Sequence, residues 1–104
     1  MRIDPAATLA CLRAHQAEFE GMGVRHLALF GSQARGNADE TSDVDVAVVF
    51  DETTRGTGLA YFARRQRVAD RLSAILAAEV DLSDEVLQRP LVREVYEADR
   101  VYAF

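Results

Sequence analysis

The sequence predicts a small α/β domain, and three observations support that prediction. Segments with helical periodicity alternate with short runs rich in β-branched residues. The chain has 104 residues, the length of a single domain, so residues 1–104 are expected to form one unit. Hydrophobic residues make up 49% of the chain, enough for one compact core. We therefore expect helices packed on a small sheet. The periodicity leaves open whether that sheet is parallel or mixed.

The first half of the chain predicts two helices and two strands. Asp4 can cap a first helix and Pro5 suits its first position, so the pattern predicts a helix through residues 4–23 that ends at a pair of glycines. Residues 24–30 form a mostly apolar run of strand length, and residues 43–50 are rich in valine. Between these strands, the sequence GSQARG predicts a turn that opens a short helix.

The second half predicts two more helices and two more strands. Residues 59–79 form an amphipathic helix whose expected apolar face comprises Leu59, Phe62, Ala69, Leu72, Ile75 and Leu76. The sequence VDLS, residues 80–83, predicts a brief third strand. Pro90 fits the start of a last helix over 90–99, and residues 100–104 are expected to form an edge strand.

Composition and charge indicate which partners and which cellular compartment to expect. The formal charge is −5, which makes a broad electrostatic grip on nucleic acid unexpected. All twelve basic residues are arginine, a residue type that suits bidentate phosphate contacts. Cys11 is the only cysteine, so no internal disulfide can form and a reducing compartment is expected. No apolar run approaches the length that spans a membrane. We expect a cytoplasmic protein with no membrane contact and no direct nucleic-acid binding.

Two aspartates stand one residue apart at the start of the second strand. Side chains at positions i and i+2 of a strand share a face, so Asp43 and Asp45 should project together while the valines between and after them face the core. Paired carboxylates repel unless a cation lies between them, and Mg²⁺ prefers such oxygen ligands. An acidic solvent-exposed strand face is the alternative interpretation, and for this short pattern alone it is the more common one.

The Gly-Ser turn strengthens the functional interpretation. Gly31 would let the backbone approach an anion, and Ser32 would offer a hydroxyl at a helix N-terminus, where free N–H groups favour phosphate. Arg35 lies one helical turn further on and could reach a phosphate or pair with Asp39 or Glu40. A phosphate cradle beside a carboxylate pair predicts a nucleotide site.

A third carboxylate is needed to orient or deprotonate an attacking hydroxyl. Asp81 is the candidate, because it begins a short strand that could lie beside residues 43–50. The alternative is that Asp81 or Asp84 only caps the segment that follows.

The segments GSQARG, SDVDVAVV and VDL together resemble the nucleotidyltransferase superfamily that includes DNA polymerase beta. More narrowly, the chain resembles the minimal nucleotidyltransferases that act as antitoxins of HEPN-domain ribonuclease toxins. The polymerase beta-like fold implied is a small mixed sheet with helices packed on it. Gly31, Ser32, Asp43 and Asp45 match the motif of that superfamily, and Asp81 matches its third acid in less distinctive surroundings.

This resemblance implies transfer of AMP from ATP with two Mg²⁺ ions. Asp43, Asp45 and Asp81 would hold the metals, while Gly31 and Ser32 would bind the β and γ phosphates. It also implies that the acceptor is a hydroxyl of a HEPN toxin, a tyrosine hydroxyl by analogy, and that the modification silences the toxin. Two other functions stay open: a small-molecule nucleotidyltransferase that works with a partner subunit, and an antitoxin that acts by binding alone.

Several further residues have an ordinary structural interpretation. The arginines Arg64, Arg67 and Arg71 form a stripe typical of a solvated helix face, with partner docking as the alternative. His26 in the first strand is expected to pack or face solvent rather than act as a base. The closing aromatics Tyr96, Tyr102 and Phe104 are expected in the core or at an interface.

Overall fold

The computed structural model describes residues 4–31, 43–53 and 56–104. It describes the side chains of all these residues except Val92 and Val95. In chain order its elements are α1 (Pro5–Ala14), α2 (Gln16–Gly21), β1 (Val24–Leu29), β2 (Val44–Phe50), α3 (Gly58–Leu76), β3 (Val80–Asp84), a 3₁₀ turn (Glu85–Leu87), α4 (Pro90–Asp99) and β4 (Val101–Tyr102).

The four strands form one mixed sheet in the order β3-β2-β1-β4. Strand β2 runs antiparallel to β1 and parallel to β3, and β4 pairs antiparallel with β1 at the opposite edge. The expected mixed sheet with packed helices is therefore confirmed. The short closing strand lies at an edge, as the sequence predicts.

The alternating valines of β2 bury one face of the sheet. Val44, Val46 and Val48 are at most 1% exposed and pack in one cluster with the buried residues of the first three helices: Leu12, Phe19, Val68 and Leu72. The opposite face carries a second, smaller cluster, which comprises Ala28, Phe30, Ala47 and Tyr96. Because the strand alternates, burial of the valines turns Asp45 toward the second face.

The predicted first helix over 4–23 is wrong in one respect, because the chain breaks it at His15. The His15 N–H bonds to the carbonyl of Leu12, which is tighter than the α-helical spacing, and a second helix starts at the next residue. No glycine or proline marks the break. Leu12 and Phe19, on either side of it, are both fully buried, so packing rather than local sequence sets its position. The cap by Asp4, whose carboxylate accepts from Ala6 N–H, is as predicted.

The apolar face predicted for α3 is also partly wrong. Leu59 is 88% exposed and Phe62 is 64% exposed, whereas Val68 and Leu72 in the middle of the helix are fully buried. The fully buried residues of α3 lie beyond its first two turns, and Leu59 and Phe62 near its start present apolar side chains to solvent. The helix ends at Leu76, earlier than predicted, because Ala77 adopts a left-handed conformation (φ 51°).

Two arginines of the α3 stripe bind within the protein rather than only facing solvent. Arg64 donates to the carbonyl of Met22 at 2.8 Å. Arg71 binds Glu18 with both Nε (2.5 Å) and Nη2 (3.1 Å), and this hydrogen-bonded ion pair lowers the pKa of the Glu18 carboxyl. These two arginines therefore connect α3 to α2 and to the residue that follows α2.

The C-terminal residues are fixed against β1 and α1. Ala103 N–H bonds to the carbonyl of Leu27 (2.7 Å), and Arg13 Nε donates to the Ala103 carbonyl (2.7 Å). His26 Nδ1 lies 3.2 Å from the carbonyl of Phe104, a packing role that agrees with the sequence interpretation.

Among the described ranges, no helix combines the length and apolar character needed to cross a lipid bilayer.

The uneven burial of α3 gives a stability prediction with a matched control. Leu72→Ala should lower the free energy of unfolding by about 2–5 kcal/mol, because it leaves a cavity in the core. Leu59→Ala removes the same atoms from an 88% exposed site and should change it by less than about 0.5 kcal/mol. Urea denaturation followed by circular dichroism measures both. Equal losses in the two variants would contradict the burial described for α3.

Candidate active site

The candidate site lies at the end of the sheet where β1 finishes and β2 and β3 begin. Asp45 is the second residue of β2 and Asp81 is the second residue of β3. The parallel pairing sets these two residues opposite each other in register. Neighbouring strands are separated by about 4.8 Å, so two in-register side chains on one face are direct neighbours. The fold therefore brings together two carboxylates that lie 36 residues apart in sequence.

Gly31 approaches Asp45 so closely that a side chain in its place would displace the Asp45 carboxylate. It follows the end of β1 with a left-handed backbone (φ 67°), and a Cβ atom there would lie 2.5 Å from Asp45 Oδ2. The preceding residue anchors the approach, because Phe30 N–H donates to the Asp45 carbonyl at 3.2 Å. The glycine predicted to admit an anion thus lies beside a predicted metal ligand.

A cavity of about 410 Å³ opens beside these carboxylates. We name it the β3 cavity, and it is lined by Phe30, Asp45, Tyr61, Phe62, Arg65, Asp81, Leu82, Ser83, Asp84 and Leu87. Asp45 is half-buried in it, whereas Asp81 is exposed. Asp43 precedes β2, is exposed, and is not among the lining residues. Two of the three predicted acids therefore share the cavity.

Side chains of α3 hold the edge strand β3 in position. Tyr61 donates its hydroxyl to Asp84 Oδ2 at 2.7 Å, and Arg65, one turn further along, donates to the carbonyl of Leu82. Asp84 also caps the 3₁₀ turn by accepting from Val86 N–H at 3.0 Å. Capping therefore falls to Asp84, and Asp81 is left at the cavity. Sequence analysis did not single out Tyr61 and Arg65, although their spacing of four residues puts them on one helix face.

A buried tyrosine contacts both Phe30 and the turn that follows β3. The ring of Tyr96 packs edge-on against Phe30, with centroids 5.3 Å apart, and its hydroxyl donates to Glu85. Burial, together with the hydrogen bond to Glu85, raises the pKa of the Tyr96 phenol far above its ordinary value. This hydrogen bond joins α4 to the turn after β3.

The carboxylates of Asp45 and Asp81 are ligands of the type that a hard divalent cation prefers. Within residues 4–31, 43–53 and 56–104, no three His, Cys, Asp or Glu side chains converge as a metal site. Asp45 and Asp81 are nevertheless adjacent carboxylates, and Mg²⁺ is commonly held by one or two carboxylates with water and phosphate oxygens completing its shell. The residues present fit such an ion. The predicted Ser32 and Arg35 lie outside the described residues.

Comparison with protein families identifies the class to which this site belongs. The family described as "Nucleotidyltransferase domain" matches residues 12–102, which is most of the chain. The chain belongs to the nucleotidyltransferase domain family. Asp45, Asp81 and Gly31 all fall within the matched region.

Individual relatives carry a more specific name. The chain is 36% identical over 80 residues to a Methanocaldococcus jannaschii protein provisionally named protein adenylyltransferase, with 76% of each chain covered. It is 39% identical over 72 residues to the protein adenylyltransferase MntA of Thermococcus cleftensis, which covers 68% of this chain and 67% of that one.

Solved structures share the fold. One described provisionally as a minimal nucleotidyltransferase has a TM-score of 0.75 at 28% identity and covers 95% of both chains. A toxin–antitoxin structure with AMP-PNP has a TM-score of 0.65 at 20% identity, over 98% of this chain and 73% of that one. A complex of tri-AMPylated Shewanella oneidensis HEPN toxin with MNT antitoxin has a TM-score of 0.56 at 16% identity, over 88% and 71%.

The contact between Gly31 and Asp45 yields a prediction that a second glycine controls. Gly31→Ala and Gly58→Ala both put a Cβ on a left-handed backbone, so each should cost about 1–2 kcal/mol of stability in urea denaturation. Only Gly31→Ala should also displace the Asp45 carboxylate, because no atom of the described residues lies within 4 Å of a Cβ at Gly58. The carbon chemical shift of the Asp45 carboxylate in NMR spectra measures that displacement. An unchanged shift in Gly31→Ala would contradict the close approach.

Proposed function

We propose that the chain is a protein adenylyltransferase antitoxin that transfers AMP from ATP to a hydroxyl of a HEPN-domain ribonuclease toxin and thereby neutralises it. The observation that carries the proposal is the in-register pair of Asp45 and Asp81 beside an open cavity. Adjacent carboxylates at the edge of a site can serve both a triphosphate and an acceptor, which a surface used only for binding does not require.

The names of similar proteins support the acceptor class and the partner. Relatives at 36% and 39% identity are named protein adenylyltransferases. Fold neighbours were solved as a toxin–antitoxin with AMP-PNP and as an AMPylated HEPN toxin bound to its antitoxin. ATP as the nucleotide, a HEPN toxin as the partner and a tyrosine as the acceptor are carried to this chain by that similarity. A cytoplasmic location remains a prediction from the single cysteine.

We assign the metal ligands to Asp43, Asp45 and Asp81, with Asp43 joining from the residue before β2. When bound, two Mg²⁺ ions would supply positive charge to the phosphate oxygens and to the oxygens that attack and leave. We assign Gly31, Ser32 and Arg35 to the β and γ phosphates, with Gly31 next to the Asp45 carboxylate.

Asp81 is suited to the acceptor because it is the more exposed carboxylate of the pair. The acceptor oxygen forms a bond to the α-phosphorus, the bond to the β-phosphate bridge breaks, and its electron pair leaves with pyrophosphate. The hydroxyl proton passes to the Asp81 carboxylate. Asp45 is half-buried and is fixed on a buried strand, so it keeps the geometry of the site during transfer.

Removal of either cavity carboxylate should abolish transfer without unfolding the protein. Asp45→Asn and Asp81→Asn should each lower the rate of labelling of a co-purified HEPN toxin from α-labelled ATP by at least about a hundredfold, because each removes charge at the reacting phosphate. Asp51→Asn makes the same chemical change just beyond the opposite end of β2, where Asp51 is exposed, and should leave the rate within about twofold.

Three outcomes separate this proposal from the alternatives. Labelling that persists in Asp45→Asn rejects the catalytic assignment. Protection of cells from the toxin by Asp45→Asn, without any transfer, indicates an antitoxin that acts by binding alone. Label recovered only in a small molecule, with none in protein, indicates a small-molecule nucleotidyltransferase.

A further inference from the structure

Arg65 is the only basic side chain among the described residues that line the β3 cavity. Three carboxylates line the same cavity, those of Asp45, Asp81 and Asp84. Within residues 4–31, 43–53 and 56–104, Arg65 forms no ion pair with any of them, and its one hydrogen bond goes to a backbone carbonyl. The cavity therefore holds a positive charge that no neighbouring carboxylate pairs with directly.

That hydrogen bond fixes where the Arg65 guanidinium lies. Its Nη2 donates to the carbonyl of Leu82, the residue directly after Asp81. Tyr61, one turn earlier on α3, instead binds Asp84, two residues later on β3 than Leu82. The helix and the strand therefore run in opposite directions here, and Arg65 lies toward the Asp81 end of β3.

The bond to Leu82 uses only part of what an arginine offers. One donor satisfies a backbone carbonyl, whereas a guanidinium carries five N–H donors in a planar fork. Nε and Nη1 of Arg65 make no hydrogen bond within the part of the chain that the structure describes, and neither is buried from solvent. A guanidinium that is fixed through one nitrogen and open at the others matches the oxygens of a phosphate.

The order of the strands indicates which phosphate Arg65 can reach. Gly31, assigned to the β and γ phosphates, extends β1 on one side of β2, while β3 lies on the other side. The α-phosphate must lie between Gly31 and the acceptor, which the proposed function puts at Asp81. Arg65 is on the β3 side, so the α-phosphate is the nearest anion of the bound nucleotide.

We propose that Arg65 binds a non-bridging oxygen of the α-phosphate and stabilises its negative charge during transfer. This inference rests on the proposed function and adds a nucleotide-binding residue to the same site. The acceptor oxygen bonds to the α-phosphorus, the bond to the β-phosphate bridge breaks, and its electron pair leaves with pyrophosphate. The hydroxyl proton passes to Asp81, and Arg65 gives up no proton. A cation held in place before the reaction lowers the energy of such a charged transition state.

Binding of three ligands tests this contact separately from activity. Adenosine, AMP and AMP-PNP share a nucleoside but carry none, one and three phosphorus groups, and NMR titration with Mg²⁺ present measures the affinity of each. Arg65→Gln should weaken AMP and AMP-PNP binding by about tenfold, because a charge-assisted hydrogen bond is lost. Adenosine affinity should stay within about twofold, since adenosine lacks the group that Arg65 contacts. The loss with AMP assigns the contact to the α-phosphate.

Arg67→Gln is the matched control, because Arg67 lies two residues further along α3, is exposed and does not line the β3 cavity. It should bind all three ligands as the wild type does. Arg65→Lys keeps the charge without the planar fork and should recover part of the lost affinity. Circular dichroism verifies that each variant is folded, and Arg65→Lys carries the same ligand comparison if Arg65→Gln does not fold.

Wild-type affinity for AMP in Arg65→Gln would overturn the proposal, as would a wild-type chain that binds AMP no more tightly than adenosine. An equal loss for adenosine and AMP would also overturn it, because Arg65 would then act only by holding β3. Failure of the proposed function looks different: the wild-type chain does not label a HEPN toxin, although AMP affinity still depends on Arg65.

Discussion

The parallel pairing of β2 with β3 is the interaction on which the rest of the site depends. It sets Asp45 opposite Asp81 and fixes which side of the sheet each carboxylate faces. A shift of one residue in either strand would send its carboxylate into the core, because side chains alternate between faces. Two sets of contacts hold this register in place. The valines of β2 are buried against three helices, and β3 is bound by Tyr61 and Arg65 of α3.

The two faces of β2 have different environments, one in the core and one at the candidate site. Val44, Val46 and Val48 contribute to stability, while Asp45 between them faces the cavity. Gly31 completes the arrangement, since its missing side chain is what leaves room for the Asp45 carboxylate. Geometry of this kind lets a small domain present an oxygen-rich site with few residues, because positioning rather than side-chain chemistry does most of the work in phosphoryl transfer.

Much of this arrangement follows from local sequence, and the remainder depends on tertiary contacts. The β2 valine alternation, the cap by Asp4 and the mixed α/β order are encoded by neighbouring residues and were predicted correctly. The break at His15 could not be predicted, because no local breaker residue marks it. The exposure of Leu59 and Phe62 was missed because helical periodicity identifies an apolar face without showing where its partner surface ends.

The candidate site also has some features that local sequence predicts and others that depend on tertiary contacts. Gly31, Asp45 and Asp81 stand out as residue types in a motif, and the fold brings all three to one end of the sheet. The roles of Tyr61, Arg65 and Leu87 depend on how α3 and the turn after β3 lie against the edge strand, which no short pattern encodes.

The proposed function requires Asp45 and Asp81 to bind metal as one pair, which their register allows. Titration of Mn²⁺ followed by electron paramagnetic resonance, with AMP-PNP present, tests it most directly. Asp45→Asn and Asp81→Asn should each weaken Mn²⁺ binding by at least about tenfold, while Asp51→Asn should bind as the wild type does. Wild-type Mn²⁺ affinity in both cavity variants would contradict the account.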